Sequence, residues 1–199
     1  MGGRRIAAFG AFAFLLFIMP LAGCGGSATA DTGSAGGGGK VQVVAAENVW
    51  GSIASQVGGE HVTVTSIITS PDTDPHDYES TSRDARAFAT AHYAIVNGAG
   101  YDAWAQRSLD ANPNGARKEL DVAKLAGRAN GDNPHMWYSP TIVNQVADQI
   151  TRDLKGLDAS GAAYFDRQNQ QFKTVALKHY NDLIAAIKTT DAGTPVGAT

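Results

Sequence analysis

Apolar runs separated by polar and glycine-rich segments divide most of the chain into short strands and amphipathic helices. Apolar, β-branched runs of roughly four to eight residues are typical of buried strands, and they predict strands over residues 41–46 and 93–96. Residues 61–68, which are rich in Val, Thr and Ile, predict another strand, and residues 118–122 predict a fourth, short one. Apolar positions at helical spacing between and after these runs predict helices over residues 49–57, 82–90, 101–109 and 139–154. Gly58-Gly59 is expected to end the first helix, and Ser82 and Ser139 are expected to cap two later ones.

The alternation of strands and helices predicts an α/β fold for residues 41–157, a doubly wound, mainly parallel sheet of four strands. Ligands of such sheets bind beyond the carboxyl ends of the strands. His76 follows the second predicted strand and His135 follows the fourth. The topology therefore places both histidines at the same edge of the sheet, although they are far apart in the sequence.

A long linking α-helix is predicted after this lobe, over residues 158–190. Its apolar side chains recur at helical spacing; they include Phe165, Phe172, Val175, Leu183 and Ile187. At about 1.5 Å per residue the helix spans roughly 40 Å, more than a compact lobe needs. We therefore expect it to lead to a further part of the protein, of which residues 191–199 are only the start.

Residues 1–40 are not expected to belong to the fold. Arg4 and Arg5 precede an apolar segment that is short for a membrane span, so residues 1–23 are predicted to be a signal peptide. The four residues 21–24 (Leu-Ala-Gly-Cys) resemble the lipobox of secreted bacterial lipoproteins, which predicts lipidation of Cys24; an ordinary signal peptide with an incidental cysteine is the alternative. Residues 24–40 are rich in glycine, serine and alanine and predict a flexible tether.

Composition narrows the possible functions. The chain of 199 residues is 43% hydrophobic and 18% charged, which is typical of a globular protein. Cys24 is the only cysteine, so its lipidation would leave no thiol for a disulfide or a metal ligand. The net charge of −3 and the lack of a basic cluster argue against a nucleic-acid partner and favour a cationic ligand.

Two short motifs present a histidine in the same way. They are Asp74-Pro75-His76-Asp77-Tyr78 and Asn133-Pro134-His135-Met136-Trp137. Each proline fixes its own φ and keeps the preceding residue extended, so the histidine is presented from a stiff, non-helical segment. We predict that His76 and His135 bind one metal ion.

Other residues are predicted to support this site or to lie outside it. Three carboxylates are expected to orient His76 through its free ring nitrogen or to add a ligand; they are Asp74, Asp77 and Glu79. Four aromatic side chains are expected to shape the site and exclude water from it; they are Tyr78, Tyr101, Trp104 and Trp137. The remaining histidines are expected to lie outside the site; they are His61, His92 and His179.

The chain carries no motif that is typical of an enzyme. The Gly-x-Ser-x-Gly, His-Glu-x-x-His, P-loop and dinucleotide-binding glycine patterns are all absent. A zinc hydrolase would need a general base beside an open coordination position, and only Asp74 or Asp77 is available for that role. We therefore predict a binding protein without an organic cofactor.

Four segments, in this order, resemble the zinc- and manganese-binding solute receptors of bacterial ABC importers. They are the lipobox, the first Pro-His motif, the Asn-Gly-Ala-Gly-Tyr-Asp-Ala-Trp segment of residues 97–104 and the second Pro-His motif. The resemblance runs from Cys24 to the end of the chain. It implies that His76 and His135 are the two metal ligands of the amino-terminal lobe. It also implies a second lobe, joined by the long helix, that adds a His or Glu and an Asp.

The chain departs from the family pattern in three respects. It ends where the second lobe should begin, so the third and fourth ligands have no counterpart, whereas zinc sites usually have four ligands. The usual proline after the first motif is missing, and no His-rich loop lies between Trp104 and Asn133. Two imidazoles favour zinc and an added carboxylate would suit manganese, so both metals stay open.

The resemblance implies a lipid-anchored, monomeric receptor outside the cytoplasmic membrane. Such a receptor binds Zn²⁺ or Mn²⁺ and delivers the ion to the permease of an ABC importer. Binding by this lobe alone is expected to be weak. The alternative is an adhesion or structural lipoprotein that keeps the lobe and has lost metal transport.

Overall fold

The structure, a computed structural model, describes residues 39–195. The predicted signal peptide, Cys24 and most of the predicted tether lie outside the described residues, as do residues 196–199. Among residues 39–195 no helix combines the length and the apolar composition that crossing a membrane requires.

The sheet has four strands, all parallel, which confirms the predicted fold class. The strands are β1 (Val41–Glu47), β2 (Val62–Ile68), β3 (Tyr93–Val96) and β4 (Lys118–Asp121). Their order across the sheet is β2-β1-β3-β4. The chain therefore leaves β1 towards one side and returns to β3 on the other, which makes the carboxyl ends of β1 and β3 the topological switch point where ligands of such sheets bind.

Seven α-helices flank this sheet within residues 39–195. They are α1 (Asn48–Gly58), α2 (Ser82–Thr90), α3 (Ala103–Ala111), α4 (Val122–Leu125), α5 (Pro140–Leu157), α6 (Ala162–Gln171) and α7 (Lys178–Thr190). Helices α1, α5 and α6 cover one face of the sheet, and α2 and α3 cover the other. The lobe is therefore doubly wound, with a separate apolar core on each face.

Successive residues of β1 belong to the two cores in turn. Val43 and Ala45 pack on the side of α1 and α5, and Val44 and Ala46 pack on the side of α2 and α3. Neighbouring side chains of a strand point to opposite faces, so a strand buried on both faces needs apolar residues throughout. This is why residues 43–46 appear in the sequence as an uninterrupted apolar run.

Two predicted helix starts differ from the structure. Helix α2 is capped by Thr81 and not by Ser82, because the Thr81 hydroxyl accepts from the N–H of Asp84 (3.3 Å) and the Asp84 carboxylate accepts from the N–H of Thr81 (2.8 Å). This reciprocal pair is a capping box. Helix α3 begins at Ala103, two residues later than predicted, because the residues before it form a tight turn described below.

The long helix predicted over residues 158–190 is helical for most of its length but is interrupted. Helix α6 runs into a π-helical turn (Phe172–Ala176), and the chain leaves the helical conformation at Leu177 before α7 begins. A π-helical turn adds a residue and rotates the following side chains around the helix axis. Phe165 and Phe172 are accordingly buried in the core, whereas α7 buries no residue.

Arg117 joins the carboxyl-terminal ends of α2 and α3. Its guanidinium donates to the backbone carbonyls of Phe88 (2.9 Å), Asn112 (3.1 Å) and Leu109 (3.4 Å), and to the carboxylate of Glu119 (2.8 Å). The last carbonyls of a helix have no partner within the helix. One side chain that is 1% exposed therefore donates to carbonyl groups at two helix ends.

Candidate functional site

The two predicted histidines are presented by the same local turn. The backbone N–H of His76 donates to the Asp74 carboxylate (2.9 Å), and the backbone N–H of His135 donates to the Asn133 amide oxygen (2.9 Å). In both motifs the side chain two residues earlier closes an Asx turn around the proline. Both histidine residues are exposed. The repeated sequence pattern thus corresponds to a repeated structure.

Asn133 also determines which ring nitrogen of His135 is free. The Nδ1 atom of His135 lies 2.8 Å from the amide oxygen of Asn133, the same oxygen that accepts from the His135 backbone. Because an amide oxygen can only accept, Nδ1 carries the proton of the neutral ring. Nε2 then keeps its lone pair, and this is the form in which imidazole binds a metal ion.

Tyr101 lies between the two histidines. Its ring centroid is 4.9 Å from that of His76 and 6.0 Å from that of His135, with the rings edge-on in both cases. Trp137 closes the group at 5.3 Å from His135 and 5.4 Å from Tyr101. The structure therefore brings His76 and His135 together around one phenol ring, at the carboxyl edge of the sheet.

A strained turn after β3 places Tyr101 in this position. Gly98, Ala99 and Gly100 have φ values of 75°, 55° and 84°, a left-handed conformation that costs a non-glycine residue roughly 1–2 kcal/mol. The Asp102 carboxylate holds the turn by accepting hydrogen bonds from two backbone N–H groups at its start, at 2.7 and 2.9 Å. Helix α3 can begin only after this turn.

Glu47, the last residue of β1, is a buried carboxyl group at the switch point. It is 4% exposed, and within residues 39–195 no hydrogen-bond donor reaches either of its oxygens. Burial, and then the nearby Asp102 carboxylate, raises the pKa of Glu47 well above its ordinary value of 4.5. Burial therefore favours the protonated, neutral form of the Glu47 carboxyl group.

We expect Glu47→Gln to become more stabilising relative to the parent as the pH rises above about 4.5. Because the folded-state pKa is raised, the stability that protonated Glu47 contributes is fully present below about pH 4.5 and is lost as the pH rises through the folded-state pKa. Glutamine does not titrate and avoids this loss. Urea unfolding of both proteins across the pH range measures the difference.

The exposed Glu60 supplies the matched control, because Glu60→Gln makes the same chemical change at a carboxyl group that is not buried. A stability difference between Glu47→Gln and the parent that is the same at every pH would contradict the assignment of a neutral Glu47.

The three carboxylates of the first motif do not complete a ligand set with the histidines. One oxygen of Asp74 closes the Asx turn, and Asp77 and Glu79 are exposed. Within residues 39–195, no three His, Cys, Asp or Glu side chains come close enough together to hold a metal ion. The described residues thus offer two imidazoles and no third ligand of these types.

Tyr78 anchors the segment after His76 to helix α2. Its hydroxyl donates to the Asp84 carboxylate (2.9 Å), and its ring packs edge-on against Trp104 with the centroids 4.6 Å apart. Trp104 is buried in the core below α2 and α3. The structure therefore assigns Tyr78 and Trp104 to anchoring the loop, while Trp137 contacts an imidazole directly.

The other three histidines lie away from His76 and His135. His61 pairs with Asp158 (2.7 Å) and stacks on Tyr164. His92 stands just before β3, where its Nδ1 accepts from the backbone N–H of Gln42 (3.0 Å). His179 is exposed on α7.

Comparison with known proteins finds relatives among metal-binding receptors. The family model of ZnuA, the zinc-uptake complex component A periplasmic, matches residues 43–196. The manganese-binding lipoprotein MntA of Halalkalibacterium halodurans is 29% identical over 164 residues, covering 77% of this chain and 52% of the relative. The manganese ABC transporter substrate-binding lipoprotein PsaA of Streptococcus mitis is 23% identical, covering 81% and 55% respectively. The chain thus spans about half the length of the curated relatives it matches.

Solved structures share the fold. The Cd-bound periplasmic metal binding protein from Candidatus Liberibacter asiaticus matches with a TM-score of 0.67 and 23% identity, over 76% of this chain and 58% of its own. Zn(II)-bound AdcA from Streptococcus pneumoniae matches with a TM-score of 0.61 and 18% identity, over 74% and 32%. Because the matching family model includes both Pro-His motifs and nearly the whole sheet, this chain belongs to the ZnuA family of periplasmic zinc-uptake components.

Proposed function

We propose that this chain binds Zn²⁺ or Mn²⁺ outside the cytoplasmic membrane and delivers the ion to an ABC importer. The observation that carries the proposal is the pair of exposed imidazoles, His76 and His135, on matching Asx turns beside Tyr101. Relatives are named as manganese-binding lipoproteins, and proteins of similar fold hold cadmium, manganese or zinc. The names of these relatives favour metal transport over an adhesion role.

The chemistry of capture follows from how the imidazoles are held. His76 and His135 replace water molecules of the hydrated ion through their free ring nitrogens. The Asx turns fix the backbone before the ion arrives, so little conformational freedom is lost on binding. The hydrogen bond from Nδ1 of His135 to Asn133 makes Nε2 a stronger donor to the ion.

Two imidazoles leave coordination positions open on the ion. Water or groups from outside the described residues occupy them, so binding by this lobe is weaker than in a site with four protein ligands. An open site also suits a carrier, because the ion has to leave again. Binding and release, and not a chemical reaction, are the proposed activity.

Attachment and delivery complete the proposal. Relatives are named as lipoproteins and as ABC transporter substrate-binding proteins. A lipid on Cys24 would hold a monomeric lobe at the membrane, and the tether of residues 24–40 would let it reach the permease. Lipidation is tested by metabolic labelling with a fatty acid, which Cys24→Ser should abolish.

Titration with zinc and with manganese tests the metal site. We expect the chain lacking its predicted signal peptide to bind one ion, and His76→Ala and His135→Ala each to weaken binding at least about tenfold. The double variant should lose binding. Competition with a chromophoric chelator measures the affinities.

His179→Ala is the matched control, because it removes an exposed imidazole that lies on α7. Equal binding by the parent and the double variant would show that these two imidazoles do not form the site.

A further inference from the structure

Asn97, the residue after β3, is a fully buried amide at the switch point. It is 0% exposed. Its Nδ2 donates to the carbonyls of Pro134 (3.1 Å) and Gly98 (3.2 Å), and its Oδ1 accepts from the indole N–H of Trp50 (3.0 Å). Both amide hydrogens and the amide oxygen of Asn97 are therefore hydrogen-bonded, and only this orientation of the amide makes all three bonds.

The bond from Asn97 to Pro134 reaches the residue next to a proposed ligand. A proline has no N–H, so its carbonyl is the only backbone group through which Pro134 can be held by a hydrogen bond. On the other side of His135, Met136 is buried, and its N–H donates to the same Pro134 carbonyl (2.8 Å). His135 thus stands between two anchored residues.

Trp50, which donates to the oxygen of Asn97, is connected to the same imidazole through a second indole ring. Trp50, which donates to Asn97, packs edge-on against Trp137 with the ring centroids 6.4 Å apart. Trp137 in turn contacts the ring of His135. The backbone before His135 and the aromatic ring beside it are therefore both tied to the buried pair formed by Asn97 and Trp50.

The first Pro-His motif is held differently. Within residues 39–195 no donor reaches the carbonyl of Pro75, whose ring is instead buried. The hydrogen bond from Asn97 therefore acts on one histidine of the pair. An effect of Asn97 on His135 that spares His76 can therefore be distinguished from a general loss of structure.

We propose that Asn97 is a positioning residue for His135, which it holds in register with His76 through the Pro134 carbonyl. The inference rests on the proposed metal binding by these two histidines. Groups that hold a metal ligand in place are typically worth about 10- to 100-fold in metal affinity. Asn97 contributes through the backbone of the ligand, without touching the ion.

The test compares Asn97→Ala with Trp50→Phe in zinc competition titrations of the chain lacking its predicted signal peptide. Asn97→Ala should weaken zinc binding by about 10- to 100-fold. Trp50→Phe removes the hydrogen bond on the other side of Asn97 but keeps the donor to Pro134, so its loss of affinity should be much smaller. Circular dichroism establishes that each variant is folded, and Asn97→Ser replaces Asn97→Ala if the latter does not fold.

Combination with the histidine variants separates positioning from general damage. If Asn97 acts through His135, Asn97→Ala should cost no further affinity in a His135→Ala background and keep its cost in a His76→Ala background. Equal additional losses in both backgrounds would overturn the positioning role.

A measurement without metal keeps this inference apart from the proposed function. In the metal-free Asn97→Ala variant, backbone ¹⁵N order parameters at His135 and Met136 should fall from about 0.85 towards 0.6, while those at His76 stay unchanged. Failure of the parent to bind zinc through its histidines would overturn the proposed function. Zinc binding that Asn97→Ala leaves unchanged, or unaltered order parameters at His135, would overturn the role of Asn97.

Discussion

Phe165→Ala is expected to lower the free energy of unfolding by about 3–5 kcal/mol. The ring is 0% exposed in the core between α1, α5 and α6, and its centroid lies 5.2 Å from that of His61. A Cβ atom at Gly161 would come within 2.8 Å of the ring, so the surroundings are packed closely and the cavity is not expected to collapse. Urea unfolding followed by circular dichroism measures the change.

Leu183→Ala is the matched control for this prediction. Leu183 is 48% exposed on α7, and its truncation should change the free energy of unfolding by no more than about 0.5 kcal/mol. The pair of variants tests whether α6 belongs to the packed lobe while α7 does not. A loss at Phe165 as small as that at Leu183 would contradict this division.

Arg117→Met is expected to lower the free energy of unfolding by about 3 kcal/mol. The methionine keeps much of the apolar stem of the side chain but donates no hydrogen bond. The carbonyls of Phe88, Leu109 and Asn112 then lose their common donor. The first two keep backbone N–H donors at 3.3 and 3.1 Å, whereas the Asn112 carbonyl keeps no donor within residues 39–195. Hydrogen bonds to a charged group contribute about 1.5–3 kcal/mol each, and the remaining donors and water recover part of this loss at the helix ends.

Arg128→Met serves as the control, because Arg128 is exposed and its change should stay within about 0.5 kcal/mol. Guanidinium unfolding of the parent and both variants provides the comparison. Equal stability of Arg117→Met and Arg128→Met would mean that the two helix ends find other donors.

The sheet was predictable because its strands are set by local patterns. Residues 43–46 of β1 and strand β3 (Tyr93–Val96) are buried on both faces, so each is an unbroken apolar run that no amphipathic helix would show. The interruption of the last helical stretch was not predictable in this way. The apolar spacing continues through the π-helical turn without a proline or glycine, and the turn becomes evident only where Phe172 is buried and Val175 is exposed.

The candidate site was predictable only in part. The placement of His76 and His135 at one edge of the sheet was expected from topology together with the repeated Pro-His pattern, and the structure places both rings against Tyr101. Glu47, Asn97 and Asp102 received no role. Burial is what distinguishes Glu47, the Asn97 side chain bonds to Trp50 and Pro134 on other elements, and Asp102 closes a local turn, a role that no sequence pattern indicated. The bond between Trp50 and Asn97, for example, depends on how β1 and β3 align, which no local pattern specifies. Their position at the carboxyl ends of β1 and β3 was the available signal.

The strand order has a consequence for how the lobe folds. The central strand β1 pairs Val41 with Val62 on one side and Val43 with Tyr93 on the other, so its partners lie about 20 and 50 residues further along the chain. Because all pairs are parallel, no ladder can start from a hairpin, and each requires the closure of a long loop. Topologies dominated by such distant contacts fold slowly. Strand β1, which precedes β2 and β3 in the chain, therefore stays unpaired until those strands have been synthesised.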